Sequence, residues 1–209
     1  MCSAFTHAAL GLVVARVGTG ARMPARYWIS AAALAAAPDL DALGYVLWQG
    51  WWEPDGLWSH RGMTHSLSFA VLAAGLVTLA MFPRGRAGVS AGSVAVVEDS
   101  RWRSPIARWR VWVILTLAMF SHGLTDMLTN GGSGVAVFAP VSLERHRWAF
   151  RPVEVSPISV GGFFNQHGLE ILWNELRWVL LPALGVAGVV EVVRWWRRAG
   201  PDGRRGASH

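Results

Sequence analysis

The chain has 209 residues, of which 53% are hydrophobic and only 15% are charged, and its mean hydropathy is +0.33. Soluble domains average about 25% charged residues, so this composition excludes an ordinary soluble globular protein and indicates an integral membrane protein. All 19 basic residues are Arg and the net charge is +6. Because these arginines flank apolar segments, they favour the positive-inside pattern over nucleic-acid binding, and no nucleic acid is expected as a partner. The single cysteine, Cys2, excludes an internal disulfide and a thiolate metal cage.

Apolar segments predict an all-α fold, an integral membrane bundle of about four to five transmembrane or re-entrant helices. In chain order the segments are 2–17, 27–48, 64–82, 111–129 and 169–196. Pro38 interrupts the second segment just before two carboxylates, which predicts a broken helix that faces a polar interior. The membrane-embedded domain is predicted to cover residues 1–198. Within this domain, 83–110 is predicted to be a polar, arginine-rich and flexible loop. Residues 199–209, beyond the domain, are predicted to form a disordered basic tail.

The arginines concentrate in the loops at one end of these segments. The positive-inside rule places such loops in the cytoplasm, so the histidines and acids at the other segment ends fall on the extracytoplasmic side. We therefore predict a multi-pass protein of the inner (plasma) membrane with one site facing out of the cytoplasm. The lipid bilayer is the expected partner, and the oligomeric state is left open.

Ionisable side chains recur where the apolar segments begin or end, and such groups are costly in a membrane unless they are paired or bind something. His122 and Asp126 are four residues apart and therefore lie on one helix face. That spacing suits two ligands of one ion, or a hydrogen-bonded pair between helices. Asp39 and Asp41 repel in an apolar setting unless a cation lies between them, and a solvated turn is the alternative.

Six other side chains near these segment ends have both a functional and a structural interpretation. His60 and His65 either bind a metal or form an interfacial turn, whereas a lone histidine such as His7 is more often structural. Glu170 and Glu175 open the last helix, and either one of them, with Glu175 preferred, completes the site or both complement the helix dipole. Arg61 either binds an anionic group of a substrate in a bidentate way or contacts lipid headgroups.

Taken together, these groups favour a shared metal site. Imidazoles and carboxylates without thiolates suit a divalent ion, Zn²⁺ first and then Mn²⁺ or Fe²⁺, and so many ligands allow two or more ions. A bound metal with an open position would lower the pKa of a water molecule to ~7, so the predicted site can activate water, with Asp39, His65 and Arg61 as the expected catalytic residues. The alternatives are a metal-binding transporter component, or a structural or regulatory membrane protein whose polar groups only pack helices.

The sequence resembles the YdjM-like membrane-bound metal-dependent hydrolases over about residues 1–150. The matching pieces are TH at 6–7, APDLD at 37–41, HRGMTHS at 60–66, SHGLTDMLT at 121–129 and FAP at 138–140. That family is distantly similar to zinc-dependent phospholipase C and the P1-type nucleases, helical enzymes that bind several zinc ions and cleave phosphoesters. The resemblance implies a phospholipase C-like helical core, a lipid or other phosphoester substrate, and these metal ligands: His7, Asp39, His60, His65, His122 and Asp126. The chain departs from the family at Ala42, where members often have a histidine.

Overall fold

The fold is described by a computed structural model for residues 1–42, 55–82, 106–156 and 165–199. Within these ranges the regular structure is helical, which confirms the predicted all-α class. The β-bridges in the same ranges are isolated pairs and not strands. Residues 83–105 of the predicted loop and 200–209 of the predicted tail lie outside the described residues.

Six helical stretches make up the described part of the fold. They are α1 Ala4–Gly18, α2 Ala25–Ala36, α3 Leu67–Met81, α4 Arg108–Asp126, α5 Gln166–Glu175 and α6 Leu181–Ala199. A 3-10 turn at Ala37–Leu40 follows α2, and another at Met63–His65 precedes α3. A π turn at Leu176–Leu180 joins α5 to α6, so that the two form one continuous helix of 34 residues. Because α4 begins at Arg108, the last three residues of the predicted 83–110 loop are helical.

Helix α4 is the central element, since α1, α2 and α3 all pack against it. Its apolar positions Val111, Leu115 and Ala118 are fully buried among residues of the other three helices. Ser66 caps the first turn of α3 by accepting a hydrogen bond from the Phe69 amide at 3.1 Å. Ser66 therefore ends the 3-10 turn and begins α3, and His65 of that turn is buried inside the bundle.

The two ends of the bundle differ in chemistry. The predicted ligands occupy the end at which α1 and α3 begin and α2 and α4 finish. Arginines occupy the opposite end, where Arg194 donates to the Val17 carbonyl oxygen at 2.6 Å and Arg108 donates to the Leu79 carbonyl oxygen at 3.4 Å. The described helices therefore separate the predicted ligands from the arginine-rich end, where Glu191 pairs with Arg16 and Arg194.

Helix length limits how many of these stretches can cross a bilayer. In the described residues, one helix, Gln166–Ala199, is long and apolar enough to do so. Helices α1 and α3 are apolar but have 15 residues each. At a rise of about 1.5 Å per residue they extend roughly 22 Å, less than the ~30 Å hydrocarbon layer. The described part of the chain thus supplies one candidate span where the sequence predicted four to five.

The contact between α1 and α2 depends on a glycine. A Cβ atom added at Gly11 would lie 2.5 Å from the Ala35 Cβ atom and 2.7 Å from the Ala31 carbonyl oxygen. We expect Gly11→Ala to force the two helices apart and to lower the free energy of unfolding by about 1–3 kcal/mol, measured by denaturant titration in detergent. Gly185→Ala is the matched control, because no atom lies within 4 Å of a Cβ there. The control should be neutral or stabilising by up to about 1 kcal/mol, and equal stability of the two variants would contradict this packing.

Candidate metal centre

Four elements of the fold bring five ionisable side chains together at one end of the bundle. His7 comes from α1, Asp39 from the turn after α2, His65 from the turn before α3, and His122 and Asp126 from α4. Each of the five is at most 9% exposed. Ionisable groups as deeply buried as these are kept in proteins when they are paired or bind a cation.

Local sequence explains how these side chains point inward. Pro38 lies in the first turn of the 3-10 helix, and this tight turn directs Asp39 inward while Leu40 stays 63% exposed. One helical turn separates His122 from Asp126, so both face the interior. A Cβ atom at Gly123 would lie 2.7 Å from the His65 carbonyl oxygen, so only glycine lets α4 approach the His65 turn this closely.

The side-chain nitrogen and oxygen atoms converge on a small volume. The Nε2 atoms of His65 and His122 are 3.1 Å apart, and His122 Nε2 lies 3.2 Å from Asp39 Oδ1. His7 Nε2 is 3.4 Å from Asp126 Oδ1 and 3.9 Å from Asp39 Oδ2. Ligand atoms about 2 Å from one ion lie roughly 3–4 Å from one another, so the spacing is that of a coordination shell.

The outer nitrogen of each histidine already has a partner. His122 Nδ1 donates to a backbone carbonyl oxygen of α2 at 2.7 Å. His7 Nδ1 lies 3.3 Å from the Thr125 hydroxyl oxygen, whose own hydrogen goes to backbone carbonyl oxygens of α4. His65 Nδ1 faces Asp41 Oδ2 at 3.3 Å. The Nε2 atoms of all three rings point to the centre, and a neutral imidazole with a protonated Nδ1 carries its lone pair on Nε2, as a metal ligand requires.

The inner atoms, by contrast, lack hydrogen-bond donors. His7 Nε2 and both carboxylate oxygens of Asp39 have no hydrogen-bond partner of acceptable geometry. The Nε2 atoms of His65 and His122 face each other across 3.1 Å, and both are acceptors when their rings are neutral with the proton on Nδ1. Buried acceptors that face one another are unfavourable, and a cation between them satisfies all of them at once. The geometry therefore fits a metal ion at this position.

The charges in this region lead to the same conclusion. The side chains of Asp39, Asp41 and Asp126 are 7%, 4% and 0% exposed, and the Arg61 side chain is 4% exposed. Three buried carboxylates lie beside one buried guanidinium, so the fixed negative charges outnumber the fixed positive charge of Arg61. A divalent cation neutralises that excess. Nitrogen and carboxylate ligands without sulfur suit Zn²⁺, Mn²⁺ or Fe²⁺.

Two overlapping groups of ligand atoms can hold an ion. One group is His7, Asp39, His122 and Asp126, and the other is Asp39, His60 and His65. Asp39 belongs to both groups, so its two oxygens can be shared between two positions. The His60 side chain is 24% exposed, which makes the second group the more open of the two.

Asp41 and Glu175, both predicted as ligands, belong to neither group. Asp41 accepts a hydrogen bond from the Thr64 hydroxyl at 2.6 Å and lies 2.6 Å from His60 Nδ1. It therefore contacts the Nδ1 side of the histidine rings and orients them. Carboxylates in this relation to a histidine fix its ring and raise its basicity as a ligand. Glu175 is fully buried, but its carboxylate accepts hydrogen bonds from Ser3 and Thr6 at the start of α1.

Arg61, predicted to bind an anionic substrate group, has its donors occupied within the protein. Nε donates to Asp126 Oδ2 at 2.9 Å, Nη1 to the Gly131 carbonyl oxygen at 2.9 Å, and Nη2 to the Thr129 hydroxyl at 2.8 Å. Its backbone φ is +65°, in the left-handed region that non-glycine residues rarely adopt. This conformation turns the side chain towards the interior, where it fixes the Asp126 carboxylate.

Several contributors to the site were not singled out from the sequence. The Cys2 backbone amide donates to Asp126 Oδ1 at 2.9 Å, and the α2 carbonyl that orients His122 belongs to Ala35. Backbone groups such as these leave no sequence signal. Thr125 was identifiable, because it lies three residues after His122 and therefore near the same helix face.

Arg145 forms hydrogen bonds to the segment that carries His60. Its guanidinium contacts Ser59, and it donates to the His60 carbonyl oxygen at 3.1 Å. Burial lowers the pKa of Arg145, and the Asp55 carboxylate 3.0 Å from its Nε acts in the opposite direction. Both arginines near the centre are thus engaged with protein groups.

Comparisons with known proteins place this arrangement in a family. Residues 1–199 match the family described as YdjM inner membrane protein. The chain is also 31% identical over 199 residues to inner membrane protein YbcI of Escherichia coli (strain K12), across 95% of this chain and 99% of that protein. No solved structure matches the chain. The family match and the near full-length relative confirm the resemblance seen in the sequence, and the chain belongs to the YdjM inner membrane protein family.

Proposed function

We propose that this protein is a membrane-bound metal-dependent hydrolase that cleaves a phosphoester. The observation that carries the proposal is the set of buried acceptors without donors, both Asp39 oxygens and His7 Nε2, beside the Nε2 atoms of His65 and His122. A protein that used these groups only to pack helices would pair them with donors. Hydrolase action is the finer part of the proposal, and it rests on the ligand chemistry together with the family resemblance.

The residues of the centre have different roles in this proposal. When bound, a divalent ion supplies Lewis acidity and lowers the pKa of a coordinated water molecule to ~7. His7, His122 and Asp126 form the sealed side of the centre. On the open side, His60 is a ligand together with His65; it is held by Asp41 and is partly exposed, so water or substrate can approach the centre from this side. Asp39 lies between the two sides.

A phospholipid headgroup is the phosphoester that this surface favours. Leu40 and Trp58 flank the open side in sequence and are 63% and 64% exposed. Exposed apolar and aromatic side chains of this kind are typical of the membrane interface, where headgroups are presented. Arg61 is bonded within the protein, so we assign charge stabilisation to the metal centre and not to that guanidinium.

The proposed topology places the centre on the extracytoplasmic side of the inner membrane. Its support is the separation of the ligand end from the arginine end of the bundle, together with the positive-inside rule. Helix Gln166–Ala199 is the candidate span, and the shorter apolar helices form the bundle core or enter the bilayer without crossing it. A transporter needs ligands along a path to both faces, and the ligand groups at one end favour the enzyme instead.

Elemental analysis of protein purified in detergent tests the metal centre. We expect wild type to carry about one to two divalent ions per chain and His65→Ala, which removes a ligand of the more open group, to carry less. His167→Ala is the matched control, because this histidine lies on α5 with a side chain that is 59% exposed. Wild type without stoichiometric metal after growth with added zinc, manganese or iron would overturn the proposal.

A second measurement addresses catalysis. Wild type, His65→Ala and His167→Ala would be incubated with phosphatidylglycerol and phosphatidylethanolamine vesicles and with a chromogenic phosphodiester, and phosphate-containing products would be separated. We expect product from wild type and His167→Ala and none from His65→Ala. Bound metal without hydrolysis of any of these substrates would favour the transporter or structural alternative.

A further inference from the structure

Glu175 is a buried carboxylate that the proposed chemistry does not use. It ends α5, it is 0% exposed, and it lies outside both ligand groups. Its oxygens accept from the Ser3 amide, the Ser3 hydroxyl and the Thr6 hydroxyl, the last at 2.7 Å. These donors are neutral, and they belong to the first turn of a helix 172 residues away in sequence.

The start of α1 is a favourable place for such a carboxylate. Amide groups in the first turn of a helix lack partners within the helix and carry partial positive charge. Ser3 is the N-cap of α1, and its side chain accepts from the Thr6 amide at 3.3 Å. Glu175 therefore adds a second cap from the last helix and joins the two helices at the end where the ligands lie.

The capped turn is in direct contact with the metal centre. Cys2, immediately before the N-cap, donates its amide to Asp126 Oδ1 at 2.9 Å. The His7 amide bonds to the Ser3 carbonyl oxygen at 3.1 Å, so His7 lies one helical turn beyond the capped residue. A displacement of Ser3 therefore moves one ligand of the centre and removes a hydrogen bond from another.

We infer that Glu175 is a positioning residue of the metal centre: it fixes the first turn of α1 so that His7 and Asp126 keep their places. The inference rests on the proposed metal-dependent function and extends it to the last helix. It assigns the long apolar helix a role in metal affinity as well as in membrane attachment. Asn174, the neighbouring residue, attaches the same helix to a different segment by donating to the Pro152 carbonyl oxygen at 3.2 Å.

Glu175→Gln tests the inference, since it keeps the side-chain volume but replaces one acceptor oxygen with an amide donor that faces Ser3 or Thr6. We expect metal affinity, measured by competition with a chromogenic chelator for Zn²⁺, to fall about 10- to 100-fold. Co²⁺ bound in place of Zn²⁺ should show a changed visible absorption spectrum, because the ligand geometry changes. A residue that only stabilised the fold would lower the melting temperature and leave that spectrum unaltered.

Glu170→Gln is the matched control on the same helix, because the Glu170 side chain is 62% exposed. Its affinity and Co²⁺ spectrum should equal those of wild type. Thr6→Val, which removes a single donor at constant volume, gives a milder variant should Glu175→Gln fail to fold, and we expect the same spectral change with a smaller loss of affinity.

The outcomes separate this inference from the proposed function. Wild type that binds metal, with Glu175→Gln and Thr6→Val equal to it in affinity and spectrum, would overturn the positioning role and leave the metal centre standing. Wild type that binds neither Zn²⁺ nor Co²⁺ would overturn both. Weakened binding with an altered spectrum in Glu175→Gln, and not in Glu170→Gln, supports the role.

Discussion

Asp39→Ala should abolish metal binding at both ligand groups and leave the metal-free protein as stable as wild type or more stable. Asp39 is the residue that the two groups share, so its loss removes a ligand from each. We expect affinity to fall by more than about 100-fold, beyond the 10- to 100-fold typical of residues that only orient a ligand. In the metal-free protein both Asp39 oxygens are buried without a hydrogen-bond donor, a condition that costs about 1–3 kcal/mol. Alanine removes that cost.

Two measurements on the same preparation check this expectation. Chelator competition gives the affinity, and denaturant unfolding in detergent with excess chelator gives the metal-free stability. Leu40→Ala is the control, because it lies in the same 3-10 turn with its side chain exposed, and it should bind metal normally. A metal-free Asp39→Ala protein that loses several kcal/mol would instead identify Asp39 as a structural residue.

The helices, and the end of the bundle at which the ligands lie, could be predicted because both depend on the local sequence. A histidine or acid at the edge of an apolar segment needs a partner, and the sequence shows where those edges lie. Helix α3, Leu67–Met81, falls inside the predicted 64–82. Helix α4 begins at Arg108, three residues before the predicted 111, because charged residues are compatible with the solvated first turn of a helix.

The roles of individual side chains could not be predicted, because they depend on backbone torsion angles and on partners distant in the chain. Arg61 points inward only because its φ is +65°, and Asp41 lies behind the histidines because the 3-10 turn rotates it away from Asp39. Glu175 finds its donors at the start of α1, in an element that no local pattern connects to the last helix. Residue type and spacing identified the cluster but not which members face its centre.

Arg61→Ala should have the largest effect on stability. The guanidinium is buried and bonds to Asp126, Gly131 and Thr129, so its removal leaves the Asp126 carboxylate without its cation and two further acceptors without their donor. Breaking a buried ion pair by removing one partner costs about 3–5 kcal/mol. We expect a loss of this size in the free energy of unfolding, and Arg61→Lys should recover only part of it because an ammonium group cannot donate in three fixed directions.

Denaturant unfolding of Arg61→Ala beside Arg147→Ala measures this effect, since Arg147 is exposed and its removal should change stability by less than about 0.5 kcal/mol.

The same pair of variants decides between the two roles considered for Arg61. A guanidinium that binds an anionic substrate would, when removed, lower turnover and leave stability unchanged. A guanidinium that fixes Asp126 would, when removed, lower stability with and without substrate, and would weaken metal binding through the displaced carboxylate. The buried contacts of Arg61 favour the second result.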